Sequence, residues 1–104
     1  MMEIRRTAVF RTWLRALRDE RAKARIVSRL DRLALGNFGD VKPVGEGVSE
    51  LRIFYGPGYR VYLVRRGDVL VILLCGGDKG TQARDVGVAK AMARELDKEA
   101  KDGH

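Results

Sequence analysis

Two hydrophobic periods divide this chain. Near its start, Phe10, Trp13, Leu14 and Leu17 recur at i, i+3, i+4 and i+7, with Arg11, Arg15 and Arg18 off the stripe. That spacing predicts an amphipathic helix. Thr7 is placed to cap it, and Met2–Arg6 before it reads as a short strand. A second helix is predicted from about Asp19 to Leu35, with Ala22, Ile26, Leu30 and Leu33 as its inward stripe and Gly36 ending it. Residues 37–47 (NFGDVKPVGEG) contain three glycines and a proline and read as a loop, pinned by Val41 and Val44.

From Ser49 the period falls to two. Leu51 and Ile53 point one way; Glu50, Arg52 and Phe54 point the other. Three consecutive strands are expected between Ser49 and Gln82, joined at Gly56-Pro57-Gly58 and at Arg66-Gly67-Asp68. A three-residue first loop pairs Tyr55 with Tyr59, Phe54 with Arg60 and Arg52 with Tyr62, and sets Ile53 and Leu51 against Val61 and Leu63. A slip of one residue would mix the apolar and polar faces. The third strand, Val69 to Cys75, is apolar on both faces, as a strand covered on both sides should be. Gly76-Gly77-Asp78-Lys79-Gly80 then reads as a flexible polar loop, a common home for chemistry. Thr81 is expected to cap a third helix from Gln82 to about Lys98, with Val86, Ala89, Ala93 and Leu96 inward, and Asp97–His104 is expected to fray. The fold class is therefore α+β: an N-terminal strand and helical hairpin on a mainly antiparallel sheet, with a C-terminal helix. With 104 residues and no repeat or linker, residues 1–104 are read as one domain.

Composition changes this picture in one respect. The formal net charge is +7 with 34% charged residues, which favours a polyanionic partner. Arg21, Lys23, Arg25, Arg29 and Arg32 crowd the polar face of the second helix. That face reads as a solvated surface, partly balanced by Asp19, Glu20 and Asp31, with phosphate binding as the other reading. Trp13, on a helical stripe, reads as core and not as a stacking platform. No apolar run approaches a membrane span and no signal-peptide core is present, so the cytoplasm is expected.

Elimination narrows the chemistry. The single Cys75 cannot form an internal disulfide and reads as an inert core thiol. The single histidine, His104, is the last residue and a poor general base. No metal-ligand spacing, cofactor motif or phosphate-binding Gly-Lys-Ser/Thr loop is present, so no metal or cofactor is expected. What remains is a surface of Arg52, Arg60, Tyr62, Lys79 and Arg84 with the carboxylates Glu50, Asp78 and Asp85. Cations beside an aromatic ring suit phosphodiesters. If RNA is cut, attack by the neighbouring 2′-hydroxyl needs a base, cations and an acid, but no histidine if the strand is held in line.

The order of elements resembles the RelE/ParE superfamily of bacterial toxin–antitoxin toxins. The segments GNFGDVKPVGEGVSELRI, YGPGYRVYLV and LLCGGDKGTQARDV are similar to its HigB-like, phage-related "addiction module killer" branch, over about Arg5 to Leu96. The resemblance implies a cytoplasmic type II toxin that cuts mRNA on the ribosome through the 2′-hydroxyl. It also implies neutralisation by a HigA-like helix-turn-helix antitoxin, through which alone the pair would meet operator DNA, with no membrane partner. It aligns Arg60 with the arginine of the family's Gly-Tyr-Arg segment, Arg52 with a basic position one strand earlier, and Lys79 with one after the last strand. Glu50 stands where RNA-cutting relatives have a basic residue, and residues such as Asp85 stand where they often carry Tyr or His. The expected catalytic set is Arg60, Lys79, Asp85 and Arg52; the expected RNA-binding set is Tyr62, Arg84, Gln82, Tyr59, Glu50 and Asp78. Each has a plainer reading: Glu50 and Arg52 as cross-strand partners, Asp78 and Asp85 as helix N-terminal charges, Gln82 as a loop contact, and the tyrosines as packing. Lys79 opposes a helix dipole, and anion binding would explain it. The alternative function is a ParE-like poison that binds DNA gyrase without nuclease activity; a third is an inactive binding domain.

Overall fold

The computed structural model describes residues 1–102. Its elements are β1 (Glu3–Arg6), α1 (Ala8–Ala16), α2 (Glu20–Ala34), β2 (Val41–Gly45), β3 (Val48–Ile53), β4 (Tyr59–Arg66), β5 (Leu70–Asp78), a single 3₁₀ turn (Lys79–Thr81) and α3 (Gln82–Asp102). The five strands form one sheet in the order β1-β5-β4-β3-β2, antiparallel except that β1 runs parallel to β5. This is the α+β arrangement expected from the two hydrophobic periods.

Capping residues set the first two helices. The Thr7 hydroxyl accepts from the Phe10 amide and donates to the Leu74 carbonyl, tying the start of α1 to the sheet. Asp19 accepts from the amides of Arg21 and Ala22, which otherwise have no helical partner. Phe10 and the predicted α2 stripe are buried, with Leu51, Ile53, Val61, Leu63, Val71 and Leu73, on one face of the sheet. On the other face, α3 lays Ala89 and Ala93 against Val48, Tyr62, Val64, Leu74 and Cys75. A helix seated through alanines lies close to its sheet. β5 is covered from both sides, which is why its sequence is apolar without alternation.

Four local expectations are corrected. Residues 41–45 form an edge strand and not a loop; Lys42 and Pro43 keep that edge unattractive to further strands. The β3–β4 connection spans residues 54–58, so Ile53 pairs with Tyr59, Arg52 with Arg60 and Glu50 with Tyr62. That register is two residues away from the predicted one. Gly56 and Gly58 both adopt positive φ, which lets a longer loop close. A shift of two preserves the faces, so the apolar and polar sides fall as expected. Gly76, Gly77 and Asp78 belong to β5, not to a flexible loop, and only Lys79–Thr81 turn. Finally, α3 runs through Asp102, so residues 97–102 are helical where fraying was expected; His104 lies outside the described residues.

The Gly76-Gly77 pair explains how two helices reach one strand. A Cβ on Gly76 would lie 2.3 Å from Trp13 Cε3, and one on Gly77 would lie within 2.8 Å of the Asp85 carboxylate carbon. Successive residues of a strand face opposite ways. The strand is thus thinned on both sides at one level, admitting the α1 indole on one face and the α3 carboxylate on the other.

Candidate functional site

Two rows of residues cross the sheet on the α3 side. Arg52, Arg60 and Gly77 are successive cross-strand partners, and Glu50, Tyr62 and Cys75 form the next row. The second row is closed. Glu50 is 1% exposed and Tyr62 0%. The Glu50 carboxylate accepts from the Tyr62 hydroxyl at 3.1 Å and from the Gln82 side-chain amide at 2.9 Å, and its other oxygen lies 3.6 Å from Arg60 Nε. Burial, then the charge and hydrogen bond of Glu50, raise the Tyr62 phenol far above its ordinary value and keep it a neutral donor. Burial and the nearby Asp85 push the Cys75 thiol up to about 12, so it stays an unreactive core group.

The first row is open at one end. Arg60 is 9% exposed and donates from its Nη1 to the Gly58 carbonyl at 2.8 Å. Its Nε is buried with no hydrogen-bond partner. Arg52 is partly exposed; it reaches the Asp40 carboxylate at 3.1 Å and lies 5.6 Å from the Phe54 ring. Lys79 and Arg84 are exposed. Lys79 follows the end of β5 directly, and its Cβ and the Arg60 guanidinium both lie beside Gly58. A buried, oriented arginine rimmed by solvent-exposed cations is suited to hold a phosphodiester.

The expected residues separate into four groups. Arg52, Arg60, Lys79 and Arg84 lie on or under the basic rim. Asp78 is half-buried and accepts from the Gly80 amide, capping the 3₁₀ turn, and Gln82 is committed to Glu50. Glu50, Tyr62 and Asp85 are buried: Tyr62 cannot stack a base, and Glu50 and Asp85 lie beneath the surface. Asp85 accepts a short hydrogen bond from Thr81, whose hydroxyl also accepts from the Asp78 amide. Thr81 is therefore spent on a side chain and on β5, not on capping α3. Tyr59 is on the opposite face, edge-on to Trp13 at 6.3 Å, and burial raises its phenol above the ordinary range. Sequence reasoning misses Asp40 and Phe54 as site residues. Asp40 lies in the segment read as a loop, and only the strand β2 brings it beside Arg52. Phe54, an apolar residue left 76% exposed on the polar-side parity of β3, is detectable as a break in the alternation.

Among the described residues no group of three or more His, Cys, Asp and Glu is arranged to hold a metal, and no helix is long and apolar enough to cross a membrane. No protein-family model matches the chain. An uncharacterized protein of Haemophilus influenzae is 55% identical over 95 residues, which is 91% of this chain and 96% of that protein. The chain belongs to that protein's family. A chain of the crystal structure of the toxin–antitoxin complex RelBE2 from Mycobacterium tuberculosis superposes with a TM-score of 0.61 at 22% identity, covering 75% of this chain and 98% of that one. The fold is accordingly RelE-like over the three quarters of the chain that superpose.

Proposed function

We propose that this chain is the toxin of a type II toxin–antitoxin system, an endoribonuclease that cuts mRNA on the ribosome. The observation that carries the reading is the buried Arg60, oriented by Gly58 and Glu50, with Arg52 opposite it on β3 and Lys79 beside the same Gly58, on a RelE-like sheet; Arg84 is exposed on the first turn of α3. In the reaction proposed, the 2′-oxygen attacks the adjacent phosphorus and the bond to the 5′-oxygen breaks. The 2′-hydroxyl loses its proton and the 5′-oxygen gains one, leaving a 2′,3′-cyclic phosphate and a 5′-hydroxyl. Arg60 and Lys79 stabilise the extra negative charge on phosphorus-bound oxygen, and Arg52 and Arg84 hold the flanking phosphates. Glu50 and Asp85 are positioning groups: Glu50 fixes Arg60 and Tyr62, and Asp85 fixes the turn that carries Lys79. The chain thus contributes alignment and charge, and alignment alone can supply a large part of such a rate. The proposed partner is a co-encoded antitoxin that covers the basic rim, and the proposed compartment is the cytoplasm.

The test is primer extension on messages from cells that briefly express the chain, beside a Lys79→Ala/Arg84→Ala variant. Both side chains are exposed, and because Arg84 Nε lies 3.5 Å from Asp85 the variant's fold is checked by circular dichroism. Discrete cuts inside translated codons, lost or reduced at least about a hundredfold in the variant, are expected. Intact messages with arrested growth would refute the nuclease and point to gyrase or another protein. Harmless expression of the unaltered chain would refute the toxin.

A further inference from the structure

The RNA-binding surface proposed above has a neighbour across the sheet. Along α2 lies an open groove of about 740 Å³, lined by Arg21, Arg25, Ser28, Arg29 and Arg32 and, at the end of β3, by Ile53 and Phe54. The four arginines recur at the spacing of one helical face, over about 16 Å of axis. Arg29 is structural. It donates to the Arg52 carbonyl at 2.7 Å and to the Phe38 carbonyl at 3.3 Å, and its burial lowers its pKa. Arg21, Arg25 and Arg32 are exposed, and none is in an ion pair among the described residues. Like charges on one face repel at this spacing, so they do not stabilise the helix.

Phe54 joins this groove to the basic rim. It lines the groove on one side, and on the other the Arg52 guanidinium lies 5.6 Å from its ring. The adjacent Tyr55 holds Arg25, a groove residue, over its ring at 4.6 Å. A large aromatic residue, 76% exposed between two sets of cations, has no role in the core. Every nucleic-acid base offers a face to such a ring, and phosphates offer their charge to flanking arginines.

We infer that single-stranded RNA occupies this groove, with its phosphates along Arg21, Arg25 and Arg32 and one base stacked on Phe54, and that the strand passes over Phe54 to Arg52 and Arg60. This rests on the RNA reading of the rim, yet it is separable from cleavage, because binding can be measured alone.

The experiment titrates the full chain with a fluorescein-labelled single-stranded RNA of about twelve nucleotides, a length within reach of one binding groove, followed by anisotropy at several salt concentrations. Arg21→Gln/Arg25→Gln/Arg32→Gln is expected to weaken binding at least about tenfold and to flatten the salt dependence by about two in log–log slope. Phe54→Leu is expected to weaken binding about tenfold with an unchanged slope. A Phe54→Trp/Trp13→Phe variant, whose only indole is at the loop, is expected to be quenched by RNA. Circular dichroism of each variant checks that it is folded. Unchanged affinity and slope in the arginine variant, or no quenching, overturns the inference. So does equal binding of poly-glutamate, which would assign the groove to an acidic protein. RNA binding with these losses, in a chain that cuts no message, would uphold the groove and sink only the nuclease.

Discussion

Replacing Gly76 by alanine should cost this fold about 2 kcal/mol, through one contact. The new methyl would stand 2.3 to 2.5 Å from three atoms of the Trp13 ring, where ordinary contact begins at 3.4 Å. The indole must retreat by about 1 Å or the strand must bend. It cannot retreat freely, because Phe10 lies 5.8 Å away and Tyr59 6.3 Å away, centroid to centroid. Overpacking of this kind costs about 1–3 kcal/mol, and moving a packed ring belongs in the upper half. Losing a glycine from a strand returns up to about 0.5–1 kcal/mol. The net of about 2 kcal/mol lowers Tm by roughly 8–16 °C in a chain of this size. Urea unfolding followed by far-ultraviolet circular dichroism reads it directly. The decisive comparison is a cycle with Trp13→Leu, in which Gly76→Ala should become nearly neutral, a coupling above about 1 kcal/mol. A Gly76→Ala protein within about 0.5 kcal/mol of the parent, or the same cost in both backgrounds, would refute the reasoning.

Other substitutions test other parts. Gly87 lies in the interior of α3, and a methyl added there would meet nothing within 4 Å, so Gly87→Ala should stabilise by about 0.5–1 kcal/mol in the same urea assay. Glu50→Ala removes the acceptor of Tyr62 and Gln82 and leaves Arg60 buried without its counter-charge; a loss of about 3–5 kcal/mol is expected, visible as a chain largely unfolded at physiological temperature. Alkaline pH should unfold the protein. Tyr62 and Cys75 both have raised pKa values in the fold, against ordinary values of 10.0 and 9.0, so the folded state holds protons that the unfolded state releases. Their stabilising effect is complete below about pH 9 and is lost as pH rises above it; Tyr62→Phe should flatten that decline in a pH series of Tm.

The elements were legible because each is written in a local code. The α2 stripe, the Thr7 cap and the near-continuous apolar β5 are set by spacing, by one hydroxyl and by two-sided burial, and all three can be counted along the chain. The RelE-like architecture followed from their order. The site was only half legible. Parity placed Glu50, Arg52, Arg60 and Tyr62 on one face, but parity does not say how far a later helix extends over that face. The close seating of α3 through Ala89 and Ala93 buried Glu50 and Tyr62, and left Arg52 at the rim with Arg60 beneath it. Tyr59 was grouped with Arg60 although adjacent strand residues face opposite ways. The β3–β4 register depended on two positive-φ glycines, which composition permits but does not fix.

The parallel pairing of β1 with β5 also bears on how the chain is made. Glu3 finds its partner at Leu70, and Trp13 finds its notch at Gly76. A chain emerging from its N-terminus must therefore carry β1 and α1 unpaired until nearly all of the sheet has been synthesised. Contacts so distant in sequence close late and slowly. Fragments released early lack the strand that both sheet faces are built on. Folding, and with it any activity of the basic rim, is thereby deferred until β5 has left the ribosome.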